Sequence, residues 1–320
     1  MHVVVEMAVL FLPLVAIMAI GAGSRFLPGE YRLAFDPEKQ KFLDQLVYRF
    51  ALPAGTFLSV SRLPFAGEHL FGVLGTILVC ATLLLVLGAF ARWLVVRRWG
   101  KDVGATVALG AVSQNALYLG LPVINIMVGY DERLYAEGSI YSALSIPVMV
   151  TAVLLTMHWY GRKATSRSVA FRKLVTDPVL LSIALGFVVR LVGIRLPGAV
   201  VTPLQLLSAA ATPLVLLVIG SRLRFRFPKK LRLPLALTVF VSSVCSPLIA
   251  FAASSLLFAL PAEQVFLLTM VFGMPIALAS TAFLTNAGIE DQELNVAAIT
   301  ATTLAILVTM PLWRLLAIGG

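Results

Sequence analysis

Charge is scarce in this chain. Lys, Arg, Asp and Glu make up 12% of its 320 residues, about half the share of a soluble domain. The apolar set AVILMFWYC makes up 60%, and the mean hydropathy is +0.97. So few charges cannot cover so much apolar side chain in water, which excludes a soluble enzyme and a disordered chain. Histidine is rarer still. His2, His69 and His158 lie near the ends of apolar runs and form no zinc-type spacing. The two cysteines, Cys80 and Cys245, sit inside apolar runs as small buried hydrophobes and frame no disulfide scaffold. No GxxxxGK[ST] stretch is present, so the chain supplies no nucleotide motor. No HExxH or Ser/His/Asp set falls within the apolar runs, so the reading is non-enzymatic, with no catalytic residue and no cofactor. Carboxylates are nearly missing from the middle of those runs: Glu6, Asp44, Asp102, Glu137 and Glu263 lie near their ends. That argues against an exchanger built on buried Asp pairs. It leaves Na+ or H+ open as a coupling ion.

What is present is a series of long apolar runs, each able to cross about 30 Å of hydrocarbon as a helix. Ten are expected, near 3–23, 43–60, 70–91, 104–128, 134–159, 178–195, 203–220, 233–258, 264–287 and 294–316. They are continuous rather than alternating, which excludes a membrane β-barrel. The first run lacks a basic flank and carries Glu6, so it reads as a span and not as a cleaved leader. The net charge of +10 reads as topology rather than as nucleic-acid binding. Loops after the odd-numbered spans hold 19 Lys and Arg, the opposite side holds 5, and Arg49 lies within the second span. Both termini are therefore expected outside, in a multi-pass protein of a plasma membrane. The acidic residues Glu290, Asp291 and Glu293 run against this pattern but count little in it.

The chain also reads as a repeat. Residues 46–63 parallel 206–223, with Pro53 on Pro213 and Ser61-Arg62-Leu63 on Ser221-Arg222-Leu223. Later, Gly120-Leu121-Pro122 parallels Gly273-Met274-Pro275. Gly129 with Asp131-Glu132 parallels Gly288 with Glu290-Asp291, and Pro147 parallels Pro311. Five spans per half is an odd number, so the second half enters inverted, as in secondary transporters. The expected fold is an all-α membrane protein with ten transmembrane helices in two inverted five-helix repeats. These are 1–160 and 178–320, joined by a basic linker at 161–177.

Gly two residues before Pro weakens a helix twice, through Gly's freedom and Pro's missing N–H. Spans four and nine are therefore expected to unwind at Gly120 and Gly273 and to restart at Pro122 and Pro275. A restarted half-helix offers N–H groups and a partial positive end to an anion. The alternative is a kinked but continuous helix. Asn115 lies two turns before Pro122 on the same face, and its amide can donate to a carboxylate. The competing role for Asn115, Gln114 and Asn286 is hydrogen bonding between helices.

Several stretches, in order, carry a family likeness: Arg49-Phe50-Ala51-Leu52-Pro53-Ala54, Asn115 through Pro122, Thr212-Pro213-Leu214 through Leu223, Gly273-Met274-Pro275, and Val308 through Trp313. In these the chain resembles the auxin efflux carrier family of membrane transporters. The resemblance implies helices four and nine crossing at their breaks. It implies a scaffold of helices one, two, six and seven, serving as a homodimer contact, and a moving transport domain of helices three to five and eight to ten. The implied activity is elevator-type secondary transport of small organic anions, with Asn115 at the position that meets the substrate carboxylate. The loop after span five is short, which favours a bacterial carrier of small acids in the inner membrane over an auxin carrier. Candidate substrate residues are Asn115, Gly120, Leu121, Pro122, Gly273, Met274, Pro275, Pro53 and Thr56, and candidate ion-coupling residues are Gln114, Thr281 and Asn286. The competing functions are an anion channel and a non-transporting membrane scaffold.

Overall fold

The computed structural model describes residues 2–26, 37–62, 69–161, 172, 175–225, 227–289 and 292–318. The basic linker falls almost wholly outside these residues, as do Arg32, Glu290 and Asp291. The described chain is helical throughout, with one isolated antiparallel bridge in place of any sheet. Helix α1 is His2–Gly23. Helix α2 begins as Pro37–Leu46 and continues through a π-helical turn, Val47–Ala51, into Leu52–Arg62. The run Leu70–Val112 is two helices, α3 and α4, meeting at Gly100 with φ 89° and ψ 174°. Then come α5 (Gly120–Met127), α6 (Glu132–Tyr160), α7 (Pro178–Val192) and α8 (Gly198–Arg222). Helix α9 is Arg232–Phe240 and Ser246–Ala252, with π-helical turns at Val241–Cys245 and Ala253–Leu257. The chain ends with α10 (Ala262–Phe272), α11 (Ser280–Asn286) and α12 (Glu293–Ile318). Among the described residues, five helical stretches are long and apolar enough to cross a membrane: Leu70–Val112, Glu132–Tyr160, Gly198–Arg222, Lys229–Leu257 and Glu293–Ala317. Large apolar side chains such as Leu185, Leu191, Leu206, Leu248 and Leu256 face outward, as lipid contact requires and water disfavours.

Local rules explain many of these boundaries. Asp177 caps α7, its Oδ1 accepting from the N–H groups of Val179 and Leu180, with Pro178 at the first helical position. Two of the π-helical turns end two residues before a proline, Pro53 in one and Pro247 in the other. Each proline removes the N–H that would close an ordinary α-helical turn, and the wider turn absorbs the defect. The short helices α5 and α11 stop in the same way. Gly129 and Gly288 take left-handed φ of 65° and 78°. Tyr130 N–H donates to the Asn125 carbonyl and Gly129 N–H to Ile126; Ile289 N–H donates to Leu284 and Gly288 N–H to Thr285. Both are Schellman closures, which need Gly at that position.

The chain divides into two compact units. The first comprises 1–65, 117–143 and 173–223. In it α1 lies on α8 at backbone contact distance. A Cβ on Gly21 would strike the Leu217 carbonyl, and one on Gly220 the Met18 carbonyl, the small-residue packing typical of membrane helices. Helix α2 packs on α7, where the Thr56 and Ser182 hydroxyls share a 2.6 Å hydrogen bond. The second unit comprises 66–116, 144–172 and 224–320. Its core holds Ile77, Leu84, Leu109, Phe266 and Phe272, all fully buried. Gly100 turns α4 back along α3, so that Gly88 meets Ala108 and Gly104 meets Arg92 and Val96. Helix α6 starts in the first unit and finishes in the second.

Candidate functional site

The second unit contains the break in both discontinuous stretches. Helix α4 stops at Val112 and α10 at Phe272, and the strands of chain that follow cross antiparallel. Asn115 N–H donates to the Pro275 carbonyl at 2.8 Å, and Ala277 N–H donates to the Ser113 carbonyl at 2.6 Å. Unwound backbone at membrane depth must be satisfied by protein, and here each strand satisfies the other. Neighbouring side chains cover further groups. Ile276 N–H donates to Thr302 Oγ1 at 3.2 Å. Ser246 Oγ donates to the Phe272 carbonyl at 2.7 Å, covering the end of α10. Gln114 Nε2 donates to the Ala111 carbonyl at 2.8 Å, covering the end of α4, and to Ser246 Oγ at 3.3 Å.

The breaks fall at other residues than Gly-x-Pro alone suggests. The first stretch unwinds at Ser113 and restarts at Gly120, not at Pro122. Pro122 instead sits third in α5, where its missing N–H costs no helical bond. The second stretch unwinds at Gly273 and restarts at Ser280, five residues beyond Pro275. Pro275 lies in the crossing strand itself, where only its carbonyl is needed. The start of each half-helix is also less open than expected. Leu121 and Val123 N–H groups donate to Leu117 and Leu119, and Ser280, Thr281 and Ala282 N–H groups donate to Ala277, Leu278 and Ala279. Tight turns thus use N–H groups that the sequence left for a ligand.

Among the described residues, the buried side-chain oxygens of this unit that carry no hydrogen-bond partner include Ser113 Oγ and Gln114 Oε1, in the unwound strand, and Ser242 Oγ. Ser113, Gln114 and Ser242 are 6%, 8% and 0% exposed. Ser242 belongs to the π-helical turn that precedes Ser246. A buried polar oxygen without a partner is a standing demand for a hydrogen-bond partner or a cation.

The candidate residues separate between the two units. Ser113, Gln114, Asn115, Gly273, Met274 and Pro275 meet at the crossing in the second. Asn115 and Gln114 are buried, and Met274 is fully so. Thr281 is exposed on α11 and accepts at Oγ1 from Asn295 Nδ2 at 3.2 Å, while Ser280 Oγ donates to Asn295 Oδ1. Asn286 is exposed at the end of α11. Gly120, Leu121 and Pro122 open α5 in the first unit and are buried there. Pro53 and Thr56 are in α2 of that unit. Thr56 Oγ1 also lies 3.0 Å from the Leu52 carbonyl and 3.3 Å from the Pro53 carbonyl, so it is committed to packing α2. Sequence reasoning passed over Ser246, Thr302, Ser242 and Asn295. The run Ser242-Ser243 with Ser246 one turn on, just before Pro247, is the visible signal for two of them.

A family model described as "Membrane transport protein" matches residues 7–167 and 162–314, nearly the whole chain. The chain belongs to the auxin efflux carrier family of membrane transport proteins. Among curated proteins it is similar to an "Uncharacterized transporter" of Methanothermobacter thermautotrophicus, 27% identical over 282 residues, which cover 86% of this chain and 88% of that one. It is also similar to "Uncharacterized transporter YfdV" of Escherichia coli (strain K12), 23% identical over 318 residues, which cover 94% and 95%. The broken helices thus belong to a multi-pass membrane transporter, and the family is not an enzyme family.

Proposed function

We propose that the chain is a secondary active carrier of small organic anions, carboxylates, working by elevator-type alternating access in the bacterial inner membrane with both termini outside. The observation that carries this reading is the antiparallel crossing of the two unwound strands. It holds unwound backbone and the buried Asn115 together at a polar point inside the second unit. Inverted-repeat carriers bind substrate at such interrupted helices. The Asn115 amide donates to the substrate carboxylate. The acceptors Ser113 Oγ, Gln114 Oε1 and Ser242 Oγ suit a coupling Na+ or a proton-bearing donor. With no ammonium or guanidinium at the crossing strands, affinity rests on neutral groups acting in a medium of low dielectric. The two-unit division supports a scaffold and a moving part. The first unit holds α1, α2, α7 and α8, the helices assigned to the scaffold and homodimer, and the second holds the crossing. The first unit also holds α5 and the start of α6, where the sequence reading grouped both with the moving part.

The test is uptake of labelled mono- and dicarboxylates into proteoliposomes, with and without a sodium or proton gradient. Saturable uptake driven by one gradient is expected, and Asn115→Ala should lower it at least about tenfold while the protein stays folded, since one charge-assisted hydrogen bond is worth about 1.5–3 kcal/mol. Flux that neither saturates nor exchanges against unlabelled acid would make the protein a channel. Normal uptake by Asn115→Ala would remove the anion site from the crossing.

A further inference from the structure

Helix α3 ends in a cluster of basic residues that the transport reading does not use. Arg97 and Arg98 close the helix, Lys101 follows the Gly100 elbow, and Lys229, Lys230 and Arg232 lead into α9. All six are exposed, and among the described residues none forms an ion pair. Asp102 is the acidic residue nearest in sequence; it is half-buried and already has an interaction partner. The cluster is built rather than merely accumulated. The Trp99 indole N–H donates to the Lys230 main-chain carbonyl at 2.8 Å, which ties the end of α3 to the approach to α9. The Arg98 guanidinium lies 5.0 Å from the centre of the Trp99 ring.

An apolar stripe runs up to this cluster on one face of α3. Phe90, Trp93, Leu94 and Arg97 follow at the three- and four-residue spacing of a single helix face. Phe90, Trp93 and Leu94 are 54%, 55% and 42% exposed, and the Phe90 and Trp93 rings stack 6.0 Å apart. In a bilayer this face is an acyl-chain surface ending in a fixed group of cations, with a tryptophan at headgroup level.

We propose that the end of α3 and the start of α9 form a binding site for one acidic phospholipid. Its phosphate lies among Arg97, Arg98 and Lys230, and its acyl chain lies along Phe90, Trp93 and Leu94. The chemistry shared with a free phosphate ion is the anionic headgroup; the stripe distinguishes the lipid. The site lies wholly within the second unit, so acidic lipid stabilises that unit without contributing a residue to the crossing.

The experiment is native mass spectrometry of the full chain in a nonionic detergent, titrated with phosphatidylglycerol or phosphatidylcholine of identical acyl chains. Wild type should retain phosphatidylglycerol preferentially. Arg98→Gln/Lys230→Gln should lower that preference about tenfold or more, since each basic group near an anionic headgroup contributes roughly a fivefold factor. Lys230→Gln leaves the Trp99 bond in place, because that bond uses the main-chain carbonyl. Arg97→Gln/Lys101→Gln provides an independent pair and should lower the preference too. Arg190→Gln/Arg195→Gln, exposed cations of the first unit, should leave it unchanged. Trp93→Ala should weaken retention of both lipids. A wild type without preference, a preference that survives both cluster variants, or complete displacement of the lipid by millimolar inorganic phosphate would each overturn the proposal.

Discussion

Asp44 was legible in the sequence only as a carboxylate near a span end, and the structure gives it two partners. Tyr118 Oη donates to Asp44 Oδ1 at 2.6 Å, and the Arg222 guanidinium pairs with Asp44 Oδ2. Tyr118 lies in the unwound chain just before α5, Asp44 in α2 and Arg222 at the end of α8. The carboxylate thus ties an irregular stretch of the first unit to two of its helices. The Asp44 and Arg222 side chains are 29% and 24% exposed, so water screens the pair in part. A hydrogen bond to a charged group contributes about 1.5–3 kcal/mol when buried; partial exposure brings the Tyr118 share to about 1–2 kcal/mol. Tyr118→Phe should cost that amount. Asp44→Ala should cost more, because it also strands the Arg222 cation. Because both single variants delete the same bond, the double variant Tyr118→Phe/Asp44→Ala should cost less than their sum by about 1 kcal/mol, well above the roughly 0.3–0.5 kcal/mol scatter of additive pairs. Chemical denaturation in detergent, followed by circular dichroism, measures all four states. Additivity within that scatter would mean that the Tyr118 hydroxyl does not engage Asp44 in the folded protein, and the proposed anchor of the unwound stretch would fall with it.

Three further outcomes follow from single positions. At Gly100 a side chain has open space but a backbone near φ 89°, ψ 174° that only glycine adopts easily, so Gly100→Ala should cost about 1–3 kcal/mol through strain alone and lower the melting temperature in detergent. Gly220→Ala should be worse, because its Cβ meets the Met18 carbonyl and two backbones must separate, whereas Gly23→Ala, with nothing near it, should be neutral; yield of monodisperse protein compares the two. Ser246→Ala leaves both Gln114 Nε2 and the Phe272 carbonyl short of a partner and should cost about 1–3 kcal/mol, read as a lower unfolding midpoint; an unchanged midpoint would mean that water replaces the hydroxyl.

Apolar run length marked where helices lie because that signal is set by local chemistry: a stretch of about 20 apolar residues has few alternatives in a bilayer. The described chain is helical along the expected runs, and five of its helical stretches are long and apolar enough to cross a membrane. Gly129 and Gly288, paired in sequence by their place after a Gly-x-Pro motif, close their helices with the same two hydrogen bonds. What sequence could not place was anything decided between strands. Proline marks a helix that will break, but the break point is chosen by where the exposed backbone finds partners. Those partners lie more than 150 residues away along the chain, with Asn115 on Pro275 and Ser113 on Ala277. A break at Gly120 would have kept Asn115 inside its helix and left the Pro275 carbonyl and the Ala277 N–H of the second strand without the strand that faces them, at several kcal/mol per unpaired group in hydrocarbon. The crossing therefore moves the first break seven residues upstream of Gly120, to Ser113. In doing so it draws Ser113, Gln114 and Asn115 out of a helix, where they would have read as ordinary interhelical polar residues, and into the candidate site. The same long-range pairing explains why Ser246 and Thr302 went unseen. Each is an unremarkable helical hydroxyl until an unwound strand 26 residues away needs it.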